Sequence, residues 1–186
     1  MEKLNIILLG GGAVGKSSIV KQCCFHQFDD EYDPTLENEY DLEMTVDGKE
    51  YNIHIVDTAG QEEYKDLRDR SIKEGDGFVM VFSLVDDVSF KELETLHEHI
   101  VRALGLDRDE YVIPMVLVGN KTGLSYQRVV EKERAELLAK EWESKYYEIS
   151  AKNNSCIQDI FTFIIRHIKT HKPIRARECR VPCRHH

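Results

Sequence analysis

Residues 10–17 read GGGAVGKS, which matches the phosphate-loop pattern G-x-x-x-x-G-K-S, and they directly follow the apolar run of residues 4–9. A strand, a glycine-rich turn and a following helix direct backbone N–H groups and a helix N-terminus toward one phosphate chain. In this arrangement Lys16 reaches the β- and γ-phosphate oxygens, and the hydroxyl of Ser17 reaches Mg²⁺. The sequence therefore predicts a nucleoside triphosphate site near the start of the fold.

The chain has 186 residues, which is enough for one well-buried domain and short for two. No apolar run approaches the roughly 20 residues that span a bilayer, and residues 4–9 are too short for a signal peptide. Glu2 stands where N-myristoylation requires glycine. The five cysteines form no C-x-x-C pair, which fits a reducing compartment. We therefore expect a cytoplasmic protein.

The formal charge of −9 is unevenly distributed. Residues 172–186 hold five Lys or Arg and one Glu, so a basic tail follows an acidic body. This distribution argues against a nucleic acid partner. Since the composition changes only near the end, we expect one domain over residues 1–170 and a flexible tail over residues 171–186.

Apolar runs at residues 4–9, 77–84, 112–119 and 146–150 have the composition of buried parallel strands. Between the first two runs, apolar residues alternate over residues 40–46 and 51–55 on either side of Asp47-Gly48, which predicts a β-hairpin. The pattern predicts an α/β fold with a six-stranded, mostly parallel sheet, one antiparallel edge strand and helices on both faces. Ligands of such folds bind beyond the carboxyl ends of the strands.

Two helix starts carry a capping-box pattern, Ser89-x-x-Glu92 and Ser155-x-x-Gln158, each followed by apolar residues at helical spacing. The apolar positions 135, 138, 139 and 142 predict a third helix. His167 and His171 are spaced like a metal-binding pair, but the intervening residues lack the glutamate of a zinc-protease motif. We interpret both histidines as favourable charge at a helix C-terminus.

Four further motifs follow the phosphate loop, at the ends of predicted strands or before the hairpin. They are Tyr32-Asp33-Pro34-Thr35, Asp57-Thr58-Ala59-Gly60-Gln61, Asn120-Lys121 and Ser150-Ala151-Lys152. With these motifs in this order, the chain resembles the Ras family of small GTPases over residues 3 to about 170. The resemblance implies a P-loop NTPase G domain that binds GTP and GDP with Mg²⁺ as cofactor.

The resemblance also implies roles for individual residues. Ser17 and Thr35 would ligate Mg²⁺, Asp57 would hold it through water, and Gly60 N–H would meet the γ-phosphate while Gln61 orients the attacking water. Lys16, Thr35, Gly60 and Gln61 are thus the implied catalytic residues. The implied nucleotide contacts are Gly12, Ala13, Val14, Gly15, Lys16, Ser17, Ser18, Phe28, Tyr32, Pro34, Thr35, Gly60, Asn120, Lys121, Ser150, Ala151 and Lys152.

Residues 26–41 contain no arginine to stabilise the transition state in cis. We therefore expect slow intrinsic hydrolysis, accelerated by an arginine from an activating protein. The resemblance further implies switch segments at residues 32–40 and 60–75, effectors that bind residues 32–40, and exchange factors. In the effector segment Asn38 replaces a usual acidic residue and Glu39 a small polar one, so we expect effectors with a basic edge-strand surface.

One position departs from the family pattern N-K-x-D. This chain reads Asn120-Lys121-Thr122-Gly123, and Gly123 has no carboxylate to accept the two hydrogen bonds that the family aspartate receives from guanine. Two hydrogen bonds to a charged group are worth about 3 to 6 kcal/mol, so guanine binding and base selectivity are expected to weaken. A second hypothesis is therefore an interaction module of the same fold with impaired nucleotide control. A small-molecule kinase is less consistent with the later motifs.

The tail places Cys183 four residues from the end, but Cys183-Arg184-His185-His186 is a poor prenylation box. Palmitoylation of Cys179 or Cys183 among basic residues is one alternative, and a solvated tail is another. We expect peripheral contact with the cytosolic face of a membrane, with the plasma membrane favoured.

Overall fold

The computed structural model describes residues 1–27, 37–60, 65–106, 111–153 and 156–171. Within these residues the strands are β1 (Glu2–Leu9), β2 (Glu37–Val46), β3 (Lys49–Thr58), β4 (Gly77–Ser83), β5 (Met115–Asn120) and β6 (Lys145–Glu148). The α-helices are α1 (Lys16–Phe25), α2 (Lys65–Glu74), α3 (Asp87–Ala103), α4 (Lys132–Glu141) and α5 (Ile157–Thr170). Strands and helices alternate along most of the chain, as the apolar pattern predicts.

The six strands form one sheet in the order β2-β3-β1-β4-β5-β6. All neighbouring pairs are parallel except β2 and β3, which are antiparallel and run from the pair Glu37 and Thr58 to the pair Val46 and Lys49. Asp47 and Gly48 both have positive φ, 53° and 76°, as a two-residue type I′ hairpin turn requires. The predicted sheet with one antiparallel edge strand is confirmed.

The start of β5 differs from the prediction. The strand begins at Met115, three residues after the start of the apolar run at Val112. Pro114 has no N–H to donate to a ladder and only accepts, from the N–H of Phe78 at 2.9 Å. The apolar run therefore includes a connecting segment that pairs too little to be part of the strand.

Two apolar layers cover the two faces of the sheet. The side chains of Leu4, Ile6 and Leu8 pack with α1 and α5 on one face, whereas Ile7 and Leu9 pack with α2, α3 and α4 on the other. This alternation along β1 follows from the two-residue period of a strand, and both faces are apolar because helices cover both. Leucine, isoleucine and valine dominate both layers, and the most buried members are fully enclosed.

The capping prediction for α3 is wrong. The helix begins at Asp87, and the N-cap is Asp86, whose Oδ1 accepts the N–H of Val88 at 3.0 Å. Ser89 lies inside the first turn, where its hydroxyl donates to Asp86 O at 2.8 Å and accepts the N–H of Ser83 at 3.0 Å. Because the N-cap is Asp86 and not Ser89, Glu92 is not the partner of a capping box and its side chain makes another contact.

The last helix also differs in two respects. Its N-cap is Cys156, one residue after the predicted Ser155, which lies outside the described residues. His167 is buried, with Nδ1 3.3 Å from Met115 O, and burial lowers the pKa of its imidazole. The expectation of a charged His167 at the helix end is therefore wrong, because the side chain faces the sheet. In the described part of the chain, no helix has the length and apolar character needed to cross a bilayer.

Candidate nucleotide-binding site

The described residues of the predicted motifs lie together at one edge of the sheet, beyond the carboxyl ends of the strands. The side chain of Asn120, at the end of β5, joins two of them: its Nδ2 donates to Val14 O at 2.9 Å, and its Oδ1 accepts the N–H of Ala151 at 3.1 Å. Asn120 is buried, so these bonds form away from water. The phosphate loop and the loop after β6 are thus held at a fixed separation by one amide.

Gly15, near the end of the phosphate loop, stands at a position that only glycine can occupy. Gly15 has a φ of 97°, and a Cβ added there would lie 2.2 Å from Asn120 Nδ2. Gly15 is also the N-cap of α1, which has no side-chain cap hydrogen bond and no acidic residue in its first turn. Neither a capping side chain nor a first-turn carboxylate therefore occupies this terminus within the described residues, and an anion is favoured at a helix N-terminus.

Lys16 is the first residue of α1, and its ammonium turns back into the loop. Nζ donates to Gly10 O at 3.0 Å and to Gly11 O at 2.9 Å, and the side chain is 6% exposed. Burial lowers the pKa of Lys16 to about 8, while the negative charge of Asp57 opposes this shift. An ammonium has three donors, so one remains for a phosphate oxygen enclosed by the loop.

The residues present fit an Mg²⁺ site. Ser17 Oγ donates a hydrogen bond to Oδ2 of Asp57, and Asp57 is fully buried. Its Oδ1 has no hydrogen-bond partner among the described residues, and burial raises the pKa of this carboxyl, against the opposing effects of Ser17 and Lys16. A buried carboxylate oxygen without a donor is costly, and a hard cation with oxygen ligands removes that cost. Thr35, the other predicted ligand, lies outside the described residues.

Gly60 closes the loop from the end of β3. A Cβ added to Gly60 would lie 2.4 Å from Gly12 N and 2.5 Å from the carbonyl carbon of Gly11. Because these neighbours are backbone atoms, only glycine allows so close an approach. The structure thus brings Gly60 to the peptide that joins Gly11 and Gly12.

The base side of the site is more open. Gly123 lies in the 3₁₀ helix Thr122–Gln127 and is exposed, and a Cβ added there would meet nothing closer than Ser150 Oγ at 3.9 Å. No described side chain fills the space where the family carboxylate would start. Ala151 N–H, the implied partner of the guanine oxygen, donates to Asn120 in this structure.

The described site residues differ in exposure along the loop. Gly12 and Ala13 are exposed at its mouth, and Lys152 is exposed beyond β6. Half-buried residues are Gly15, Ser17, Ser18, Gly60 and Lys121, and buried residues are Val14, Lys16, Asp57, Asn120, Ser150 and Ala151. The remaining predicted residues, Phe28, Tyr32, Pro34, Thr35 and Gln61, lie outside the described residues.

Sequence reasoning missed two charged residues next to the loop. Arg68 of α2 is 5% exposed, and its charge helps to lower the pKa of Lys16. Glu92 of α3 lies against Gly11, where its Oε2 would be 2.4 Å from an added Cβ. Glu92 was assigned only to a capping box, and Arg68 belongs to no motif, since α2 has a polar sequence in which a buried arginine leaves no periodic signal.

Comparison with known proteins agrees with this geometry. The family model described as "Ras family" matches residues 5–170. The chain is 41% identical over 169 residues to "Ras-like protein rasS" of Dictyostelium discoideum, covering 91% of this chain and 85% of that protein. It is 39% identical over 169 residues to "Ras-like protein 2" of Mucor circinelloides f. lusitanicus, covering 91% of this chain and 83% of that protein. With its phosphate loop, its strand-end motifs and these relatives, the chain belongs to the Ras family of small GTPases.

Proposed function

We propose that this protein is a GTP/GDP-controlled switch that hydrolyses GTP to GDP and phosphate in a Mg²⁺-dependent reaction. The observation that carries the proposal is that Lys16, held by Gly10 O and Gly11 O, and the hydrogen-bonded pair of Ser17 and Asp57 lie at one phosphate loop, with Asp57 supplied by β3. A cation donor and a buried carboxylate beside a helix N-terminus suit a polyphosphate with its metal ion.

The residues divide the chemistry between them. Lys16 and the N–H groups of the loop hold the β- and γ-phosphates, and Gly60 contacts the γ-phosphate. Mg²⁺, held by Ser17 and Thr35 with Asp57 through water, would neutralise charge on the β- and γ-phosphate oxygens when bound. Gln61 orients a water whose oxygen attacks the γ-phosphorus, while the bond from that phosphorus to the bridging oxygen breaks and GDP leaves with the electron pair.

Hydrolysis by the chain alone is slow in this proposal. Residues 26–41 offer no arginine to stabilise the developing charge, and Gly12 is exposed at the mouth of the loop without a side chain. An arginine from an activating protein would have access there. Exchange factors would release GDP, and the GTP state would be the one that effectors bind.

Effectors are proposed to bind residues 32–40 of this protein, which include the start of the edge strand β2. Alternate positions of β2 carry Glu37, Glu39, Asp41 and Glu43, which share one face of the strand. A partner with a basic surface is complementary to this row. The basic tail of residues 172–186 is proposed to give peripheral contact with the cytosolic face of a membrane, in a cytoplasmic protein.

The open base side supports weaker selectivity for guanine than the family pattern gives. Gly123 supplies no acceptor for the guanine ring N–H and exocyclic amine, and Ala151 N–H is already engaged by Asn120. The same observations favour the second candidate, an interaction module of this fold whose nucleotide control is impaired. The phosphate end of the site argues against that candidate, because both the buried Lys16 of the phosphate loop and the buried carboxylate of Asp57 are present.

Nucleotide content separates the two candidates. The full chain is purified gently in Mg²⁺ buffer, the bound nucleotide is extracted and identified, and melting is compared with and without added GDP. A switch carries guanine nucleotide and melts higher with GDP, since a ligand that binds only the folded state stabilises it. Protein that carries no nucleotide and whose melting temperature does not respond to GDP or GTP would leave the interaction module as the function.

A further inference from the structure

The carboxylate of Glu92 lies on the phosphate loop, at a place where the loop has no side chain. A Cβ added to Gly11 would lie 2.4 Å from Glu92 Oε2 and 3.6 Å from its Cδ. These are the atoms at the far end of a flexible side chain that reaches from α3. The carboxylate therefore occupies the space that any side chain at residue 11 would need.

This contact lies at the terminal-phosphate end of the site. Gly60, the residue proposed to face the γ-phosphate, approaches the same peptide, with an added Cβ 2.5 Å from the carbonyl carbon of Gly11 and 2.4 Å from Gly12 N. The peptide joining Gly11 and Gly12 is thus flanked by Gly60 from β3 and by Glu92 from α3.

The proposed chemistry assigns no role to the charge of Glu92. Burial lowers the pKa of Lys16 to about 8, and Asp57 and Glu92 are the two carboxylates that oppose this shift, so both act on the same ammonium. Asp57 belongs to the metal site, where a divalent cation balances its charge. Glu92 is exposed and has no part in the proposed metal and phosphate contacts, so its negative charge remains beside the loop when nucleotide is bound.

We propose that Glu92 is a specificity-determining residue that sets the preference between nucleoside diphosphate and triphosphate, because its carboxylate repels the additional charge of the terminal phosphate. The inference rests on the proposed nucleotide site. Coulomb repulsion between charges near a protein surface is modest and is reduced by salt. Glu92 therefore shifts the ratio of the two affinities rather than abolishing either.

The test compares Glu92→Gln with the wild type in binding fluorescent GDP and a non-hydrolysable fluorescent GTP analogue, both with Mg²⁺. The substitution keeps the shape of the side chain and removes its charge. The expected result is a gain of about two- to tenfold in affinity for the GTP analogue relative to GDP, with a smaller gain at high ionic strength. Glu94→Gln is the matched control, since Glu94 is an exposed residue of the same helix and its loss changes the net charge equally.

A second variant moves the carboxylate without removing it. In Gly11→Ala the new methyl group displaces the end of Glu92, and the expected shift has the same direction and a smaller size. An unchanged ratio of the two affinities in Glu92→Gln would overturn the inference, and so would an equal shift of that ratio in Glu94→Gln. A lower melting temperature of Glu92→Gln with an unchanged ratio would show that Glu92 makes a purely structural contact. Failure of the wild type to bind either nucleotide would overturn the proposed function as well.

Discussion

At the scale of single residues, the site combines groups that are costly in an empty protein. Asp57 is fully buried, and one of its oxygens has no hydrogen-bond donor among the described residues. Lys16 is buried as an ammonium whose pKa is lowered to about 8 by that burial. Such groups are retained in a fold when a ligand compensates for them, so their substitution is expected to have opposite effects on the empty and the loaded protein.

The substitution Asp57→Asn tests this opposition. Without nucleotide and metal, the variant is expected to melt a few degrees higher than the wild type, because a buried charge with an incomplete set of partners is removed. With GDP and Mg²⁺ it is expected to lose most of the metal-dependent stabilisation. Thermal melting of the wild type and of the variant, each with and without GDP and Mg²⁺, measures both effects. Asp159→Asn, at an exposed position of α5, is the control. A lower melting point of the empty variant would contradict the assigned cost of Asp57.

The substitution Gly123→Asp tests the base side. The position has room for a side chain, with only Ser150 Oγ within 4 Å of an added Cβ, at 3.9 Å. A restored carboxylate is expected to raise the affinity for fluorescent GDP by about two to four powers of ten, from two hydrogen bonds to a charged acceptor. It should also raise the affinity for GDP relative to the affinity for xanthosine diphosphate. Equal GDP affinity in the two proteins would refute the proposed weakness at this position.

At the scale of elements, α2 connects the nucleotide loop to the edge strand. Ser71 is 6% exposed, and its hydroxyl donates to Glu37 Oε2 at 2.6 Å, which ties α2 to the first residue of β2. Three residues earlier on the helix, Arg68 lies close enough to Lys16 to affect its pKa. Helix α2 thus bonds to the strand proposed to bind effectors and carries a charge that acts on Lys16.

Ser71→Ala is expected to loosen the start of β2. Amide hydrogen exchange at residues 37–40 should become faster, while the melting temperature changes little because one partly buried hydrogen bond contributes about 1 kcal/mol. Arg70→Ala, which removes only an exposed pair with Glu74 on the same helix, should leave exchange at β2 as in the wild type. Unchanged exchange in Ser71→Ala would show that the bond does not hold the strand.

Helix α5 gives the fold a dependence on pH. Burial lowers the pKa of His167, so the folded state binds fewer protons there than the unfolded state. The contribution of His167 to the free energy of unfolding is therefore complete above the ordinary histidine pKa of about 6.5, and it is lost as the pH falls below that value. Urea unfolding from pH 7.5 to 5 should show a smaller loss of unfolding free energy in His167→Leu than in the wild type. Parallel curves for the two proteins would exclude this contribution.

At the scale of the whole molecule, local patterns were sufficient for the sheet and insufficient for the contacts between its layers. The period of two along residues 40–46 and the turn at Asp47-Gly48 predict the hairpin, because both signals are contained in neighbouring residues. The phosphate-loop glycines likewise determine their own turn. The fold was therefore predicted in outline, and the site at the strand ends stays a prediction whose described residues lie together.

The positions of Glu92, Arg68 and Ser71 could not be predicted in the same way. Ser89 and Glu92 match a capping box, yet the side chain of Asp86 caps the helix, which begins at Asp87. Arg68 and Ser71 are buried because α2 packs against β1, β3 and α3, which depends on tertiary contacts. Polar residues buried by such contacts leave no periodic signal in the sequence.

The most direct test is single-turnover hydrolysis of GTP by the purified full chain, with phosphate release followed in Mg²⁺ and in EDTA. We predict that GDP and phosphate form slowly, at well below about one per second without a partner protein, and that EDTA or the substitution Gln61→Leu abolishes the reaction. No phosphate release above a buffer control in Mg²⁺, or a rate that EDTA leaves unchanged, would contradict the account of this chain as a Mg²⁺-dependent GTPase.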